Sequence, residues 1–262
     1  MDKLRAEISS NREALPFRVM ARAAEKYLRA FNNQQNWDVR ANGEAYALRT
    51  ITTAVAGDVF DVGANEGQWA SLALPMIGDR RLHCFEPLPP AFHKIERKFA
   101  GLQNVTLNNV GLGREQGSAE LNFYPDCSDR TSAYEMNDGF KKERVTASFL
   151  RGDDYVETRQ VEQIAFLKID VEGMEMDVLA GFETTLRRGA IKGIQFEHGP
   201  AHVVSRHFLK DFVDFLEPLQ YAIFRSYPNA LKALEYDFRF DETFVGQNFV
   251  AMRPDLRDVC AQ

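Results

Sequence analysis

Between residues 58 and 216 the hydrophobic period of the chain keeps switching, and that alternation constrains the fold more than any other feature. "GDVFDVG", "RLHCFEP", "NVTLNNVGL", "IAFLKIDVEG" and "IKGIQFEHG" are short apolar runs of strand length. Between and after them come "EGQWASLALPMI", "PPAFHKIERKFAG", "EMDVLAGFETTLRRG" and "SRHFLKDFVDFLEPL", which carry apolar residues at helical spacing. Strands joined through helices run parallel. The pattern therefore predicts an α/β fold, a mostly parallel sheet wound with helices on both faces. "YAIFRSY" and "ETFVGQNFVAMRP" read as closing strands that pair antiparallel at an edge.

The stretch 112–160 breaks the alternation. "SAELNFYPD" and "ERVTASFLRG" alternate as short strands around the polar "CSDRTSAYEMNDG", which predicts an inserted hairpin or flap. Asp153, Asp154 and Tyr155 after it read as a turn. Ahead of the first core strand, residues 13–31 place Leu15, Val19, Met20, Ala23, Ala24, Tyr27, Leu28 and Phe31 at helical spacing. The polar "FNNQQNWDVRANGE" is a connector, and a second helix is expected at about 44–55. The expected organisation is an N-terminal helical extension, 1–43, and one domain, 44–262. The apolar stripe of the first helix has to cover its own domain or a second copy, so a homodimer is expected.

Bulk properties exclude some classes. The 262 residues carry a net charge of −6, which argues against sequence-independent binding to nucleic acid. No apolar run approaches the roughly 18 residues of a membrane span. "MDKLRAEISSNREALPF" lacks the apolar centre of a secretory signal, so the cytoplasm is the expected location. Cys84, Cys127 and Cys260 lack metal spacing and read as reduced, structural thiols.

In open parallel sheets, ligands bind outside the C-terminal ends of the strands. Asp61, Glu86, Asn109, Asp170 and Glu197 all stand at such ends, so they are expected to converge on one crevice. The loop "VFDVGANEGQWA" has the form D-x-G-x-N-x-G, not the G-x-G-x-x-G of a pyrophosphate cradle. Its acids, Asp61 and Glu66, would repel phosphate on a helix N-terminus. They suit a nucleoside that carries a cationic amine. S-adenosylmethionine is such a ligand, with an ammonium, a sulfonium and no phosphate. Gly63 and Gly67 allow close backbone approach. Glu86, at the end of the second strand, fits hydrogen bonding to ribose hydroxyls. With Asn65 in the loop, Asn109 where the adenine would lie, and Asp170, these residues form the expected cofactor set. The plainer alternative is that Asp61 and Glu66 only cap a helix start.

Several phrases are familiar. "VFDVGANEGQW", "HCFEPLPPAF", "FLKIDVEGMEMDVLAGF", "NGEAYALRTI" and "IQFEHG" resemble the FkbM family of S-adenosylmethionine-dependent methyltransferases over about residues 42–200. K-I-D-V-E-G-x-E, Lys168 to Glu175, is the most specific part. The resemblance implies the class I, Rossmann-like methyltransferase fold: a seven-stranded, mostly parallel sheet with an antiparallel last strand. It also implies methylation of a hydroxyl, most often on a sugar, glycolipid or polyketide.

Methyl transfer to oxygen needs the hydroxyl held in line and its proton removed. Asp170 and Glu172 end the fourth strand, and Glu197 and His198 end the fifth. Two readings stay open. In one, His198 takes the proton and an acid, Asp170 or Glu197, orients it. In the other, Asp170, Glu172 and Glu197 hold magnesium, a hard cation that favours oxygen ligands. Against both, Lys168, Glu172 and Glu175 could simply form ion pairs and caps around the next helix. His202 and His207 read as surface histidines. Ser132 reaches the site only if the insert folds over it, and Asn42 and Glu44 could close the site from the N-terminal side. Trp37 and Trp69 read as packing anchors rather than acceptor platforms. Two other functions are weighed: a nicotinamide-dependent Rossmann oxidoreductase, and a non-catalytic metabolite-binding module of the same fold.

Overall fold

The computed structural model describes residues 2–125, 131–134 and 139–256. Cys127, Cys260 and the tip of the polar loop in the insert lie outside the described residues. Among the described residues eleven strands are formed: β1 (Asp58–Val62), β2 (Leu82–Phe85), β3 (Val105–Asn108), β4 (Gly111–Gly113), β5 (Gly117–Phe123), β6 (Glu143–Arg151), β7 (Ile164–Ile169), β8 (Ile191–His198), β9 (Ala222–Tyr227), β10 (Ala230–Ala233) and β11 (Gln247–Met252). Eight of them make one sheet in the order β10-β9-β11-β8-β7-β1-β2-β3. The pairs β1–β2, β2–β3, β1–β7 and β7–β8 are parallel. β11 is antiparallel to both β8 and β9.

The predicted α/β sheet with an antiparallel last strand is present, with two differences. The main sheet has eight strands, because "YPNA" turns the chain back and β10 pairs antiparallel with β9. The closing strands β9 and β11 do pair antiparallel at that end of the sheet, with β10 as the outermost strand. β11 is inserted between β8 and β9, an order that no periodicity encodes.

Alternation along each strand sends side chains to opposite faces, and two cores result. On one face Phe60, Leu167 and Phe196 pack against the helices Glu175–Gly181 and Leu209–Leu216. On the other face Val59 and Phe166 pack against the helices Glu44–Ala54, Gln68–Ile77 and Pro89–Lys98. Trp69 is the expected anchor there, stacked on Phe166 with centroids 6.0 Å apart. Burying such a large apolar side chain contributes on the order of 1.5–3 kcal/mol. Cys84 is buried in the same core with a free thiol.

The insert is a three-stranded sheet, β4-β6-β5, in which β5 and β6 form the expected antiparallel hairpin. It packs Leu121, Ala147 and Phe149 over Leu88 and Ala91. Asp153, Asp154 and Tyr155, read as a turn, instead lie in the helix Gly152–Thr158. Asp153 accepts the backbone N–H groups of Thr184 and Thr185, both at 2.9 Å, which ties that helix to the next one. The N-terminal region forms two helices, Asp2–Ser10 and Leu15–Phe31. Leu15, Val19, Met20, Tyr27, Leu28 and Phe31 are all exposed. No helix among the described residues is long and apolar enough to cross a membrane.

Candidate active site

The ends of β1, β2 and β7 meet at one pocket. Gly63, Asn65, Glu86, Asp170 and Glu172 line it with Val62, Phe85, Leu112 and Val171. The insert supplies Leu121, Thr131, Ser132 and Phe149. Ser132 reaches the site: its hydroxyl donates to the Glu172 carbonyl at 2.5 Å.

Gly63 is required at its position. It has φ +82°, and a Cβ there would stand 1.9 Å from the Asp170 carbonyl oxygen. Without a side chain, the β1 loop and the chain after β7 touch. Glu86 is buried and fixed by two backbone donors: Oε2 accepts from Asn65 N–H and Oε1 from Leu88 N–H, both at 2.9 Å. Burial pushes its carboxyl up to about 7, against the lowering effect of those amides.

Asp61 is 0% exposed and does not line the pocket. Its Oδ1 lies 3.1 Å from Lys168 Nζ. The same ammonium lies 3.4 Å from Asp170 Oδ2 and donates to the Gly63 carbonyl at 3.1 Å. Burial raises the Asp61 carboxyl and Lys168 opposes it. Burial alone would lower Lys168, but Asp61, Asp170 and Glu44 hold it well above its usual value. Lys168 thus clamps the ends of β1 and β7. A lysine inside the apolar run "IAFLKI" was the signal for this, since a buried cation needs a counter-charge.

The remaining cofactor candidates sit at the margin. Gly67 precedes the helix Gln68–Ile77 and lies outside the pocket lining. Asn109 donates to the carbonyls of Glu86 and Pro87, at 2.9 and 3.2 Å. Glu66 pairs with Lys94 on the surface. Glu44 is buried, accepts from Asn42 and Asn248, and does not line the pocket.

Asp170, Glu172 and Glu197 bring carboxylate oxygens within 4.8 Å of one another, a spacing able to hold a cation. Burial, then the charges of Asp170, Glu172, Glu175 and Glu44, push the Glu197 carboxyl well above the usual range. His198 is buried. Its Nε2 lies 3.3 Å from the His207 carbonyl, and its ring packs on His202 and Phe244 at 4.7 and 4.9 Å. Burial and the neighbouring His202 lower it to about 4, so it is neutral at pH 7.

Glu175 and His202, read as a helix-start acid and a surface histidine, are both buried. Glu175 accepts the N–H groups of Val171 and Gly173 at 2.9 Å each, on either side of Glu172. His202 Nδ1 accepts from Gly199 N–H, which leaves Nε2 facing Glu175 Oε2 at 2.9 Å. Burial raises Glu175, but His202 and the amides outweigh it and hold the carboxyl below its usual value.

A sheet running β3-β2-β1-β7-β8, with an antiparallel strand inserted before β9 and acids at the strand ends, defines a class I methyltransferase fold. The chain belongs to the family of the Methyltransferase FkbM domain, whose model matches residues 61–226. Methyltransferase 1 of Beauveria bassiana is 28% identical over 144 residues, covering 48% of this chain and 58% of that protein. The 31-O-demethyl-FK506 methyltransferase FkbM of Streptomyces tacrolimicus is 29% identical over 160 residues, covering 48% and 60%. The hexuronic acid methyltransferase AglP of Haloferax volcanii is 24% identical over 157 residues, covering 59% and 63%. The chain thus spans less than two thirds of the length of these relatives.

Proposed function

We propose that the protein is an S-adenosylmethionine-dependent O-methyltransferase acting on a hydroxyl of a sugar, glycoside or similar metabolite. The observation that carries the reading is the pocket at the ends of β1, β2 and β7, whose lining among the described residues offers fixed carboxylates and no cation for a phosphate. Its donor set fits the cofactor. Glu86 is held by two amides and keeps lone pairs for ribose hydroxyls. Asp170, whose side chain is 43% exposed, can take an ammonium. Val62, Phe85 and Leu112 give apolar wall for a base. When bound, the cofactor supplies the electrophilic methyl group.

The chain's own residues have two further tasks. The first is to hold the acceptor hydroxyl beside the pocket, where proximity supplies much of the rate. The second is to take its proton. His198 is too weak a base at neutral pH and has little exposure. Glu197, whose carboxyl burial and the neighbouring acids push up, stands with Asp170 and Glu172 beside the pocket and is the candidate to exchange a proton with the hydroxyl. Three carboxylates this close repel one another, and a positive charge among them relieves that repulsion. A proton shared with Glu197 or a magnesium ion on Asp170, Glu172 and Glu197 would supply it, and magnesium would lower the pKa of the hydroxyl. AglP, a hexuronic acid methyltransferase by name, supports a sugar acceptor. A cytoplasmic setting, an extension–domain boundary near residue 43 and a homodimer through the helix Leu15–Phe31 belong to the same proposal. Sedimentation showing monomer at micromolar concentration removes the dimer.

Calorimetric titration tests the core of the reading. Micromolar binding of S-adenosylmethionine and S-adenosylhomocysteine is expected, with no binding of NAD. Binding of NAD alone sinks it. Loss of turnover in EDTA, restored by magnesium, assigns the acid cluster to a metal. Full activity in EDTA assigns it to proton transfer.

A further inference from the structure

The connector between the N-terminal helices and the domain is strapped across the strand ends. Asn33 Nδ2 donates to the carbonyls of Asn42 and Ser226, at 2.8 and 3.0 Å. Gln247 Nε2 donates to the Asn32 carbonyl at 2.8 Å. Gln35 N–H donates to the Gly246 carbonyl at 2.9 Å. The strap carries Trp37, read as a packing anchor; its ring lies against Gly246, yet the residue is 61% exposed. The strap holds this large amphipathic ring at the surface, where its exposed part is available for contact.

Gly246 has φ +83°, and a Cβ built on it would meet the Trp37 benzo ring at 2.5 Å and Glu197 Oε1 at 3.2 Å. Ring and carboxylate therefore flank one point, and only glycine lets them come so close. Glu197 in turn lies within 4.8 Å, oxygen to oxygen, of Asp170 and Glu172. Those two acids line the pocket assigned to the cofactor. Glu197 thus links the exposed indole on one hand to the pocket-lining acids on the other.

We propose that Trp37 is the acceptor platform: it stacks against the C–H face of a pyranose ring and directs one ring hydroxyl to Asp170, Glu172 and Glu197. Sugar C–H bonds are polarised by adjacent oxygens, and the face of an indole is negative, so the two surfaces attract. The acids beside it accept the hydroxyl protons that the stacked ring presents. A planar acceptor without such a C–H face gains less from this arrangement. The inference rests on the methyl-transfer reading and specifies its substrate class.

Two tryptophans make the test direct. Trp69 is buried and Trp37 is exposed, so acrylamide quenching of the emission reports Trp37. The full chain, saturated with S-adenosylhomocysteine, is titrated with the methyl glycosides of glucose, galactose, mannose, fucose and glucuronic acid. At least one is expected to protect the emission from quenching, roughly twofold at saturation, as the ring face is covered. For that sugar, Trp37→Ala is expected to raise the calorimetric half-saturation about tenfold, and Trp37→Phe, which keeps a flat face, to raise it less. S-adenosylhomocysteine affinity and the thermal midpoint stay unchanged in both variants. Protection by none of the sugars, or an unchanged half-saturation in Trp37→Ala, overturns the platform and leaves the cofactor reading intact. Failure of the wild-type chain to bind S-adenosylhomocysteine overturns both.

Discussion

Two groups of acids at the strand ends meet burial with different neighbours. Asp61 is 0% exposed and faces Lys168 at 3.1 Å, so its charge is compensated from within the chain. Asp170, Glu172 and Glu197 stand only a few ångströms further along the sheet and crowd one another instead. Lys168 reaches Asp170 at 3.4 Å, and Glu197 is left with a carboxyl raised by burial and by its neighbours. A buried acid with its own cation is architecture. Acids crowded against one another beside a pocket are a place where a proton, a metal or a substrate hydroxyl is welcome.

The largest break in this contrast is Lys168→Met. It strands Asp61 in the core, and losing one partner of a buried pair costs about 3–5 kcal/mol. The melting temperature is expected to fall by about 10 °C or more, read by calorimetry or circular dichroism. Asp61→Asn in the same chain should recover part of the loss, because it removes the orphaned charge. A single variant as stable as the wild type would show that the clamp carries no weight. Glu197→Gln should do the reverse. Folding changes little, while turnover falls by roughly 10²- to 10⁴-fold, the usual share of a general base. Cofactor affinity, measured by calorimetry, stays within about twofold. Wild-type turnover in this variant would move proton removal to another group.

This difference between the two groups was only half legible in the sequence. Alternation of period 2 with period 3.6 laid out the parallel sheet and put acids at the ends of β1, β2, β7 and β8, because those signals are local. The insert hairpin was visible for the same reason. What separates Asp61 from Glu197 is long-range: a lysine on a neighbouring strand in one case, more carboxylates in the other. The position of β11 between β8 and β9 has no local signal. β10 had one, "YPNA", since proline and asparagine favour a turn that sends the chain back. The helix at 152–158 hid behind a short acidic sequence that looks like a turn until Asp153 finds Thr184 and Thr185. Trp37 illustrates the limit of composition: tryptophan is usually packed, and only the strap and Gly246 reveal an exposed one.

Glu86 stands between the two groups, buried like Asp61 but open to the pocket like Asp170. Replacing it with glutamine removes a charged acceptor, worth about 1.5–3 kcal/mol when hydrogen-bonded, so S-adenosylhomocysteine affinity should fall roughly tenfold to a hundredfold. The pH response has a definite sign. Burial raises its carboxyl from 4.5 to about 7, so the protonated form is the one the unliganded fold prefers. Its support of the fold is full below pH 4.5 and fades as pH rises through about 7. Ligand affinity moves the other way, because the ionised form is the better acceptor for ribose hydroxyls. Glu86→Gln should flatten both profiles. A wild-type affinity that does not vary between acid and neutral pH would place Glu86 outside the contact.

Glu66 sets the lower bound of the comparison. It lies in the same loop as Gly63 and carries the same charge as Asp61, yet its partner is Lys94 on the surface, with side-chain exposures of 35% and 51%. Solvent screens such a pair to about 1 kcal/mol or less. Glu66→Ala should therefore leave the melting temperature within a few degrees of the wild type and cofactor affinity unchanged by calorimetry. An affinity loss comparable to that of Glu86→Gln would mean that the loop turns when the ligand enters and delivers Glu66 to it. The loop's second acid would then belong with the reactive group rather than with the architecture.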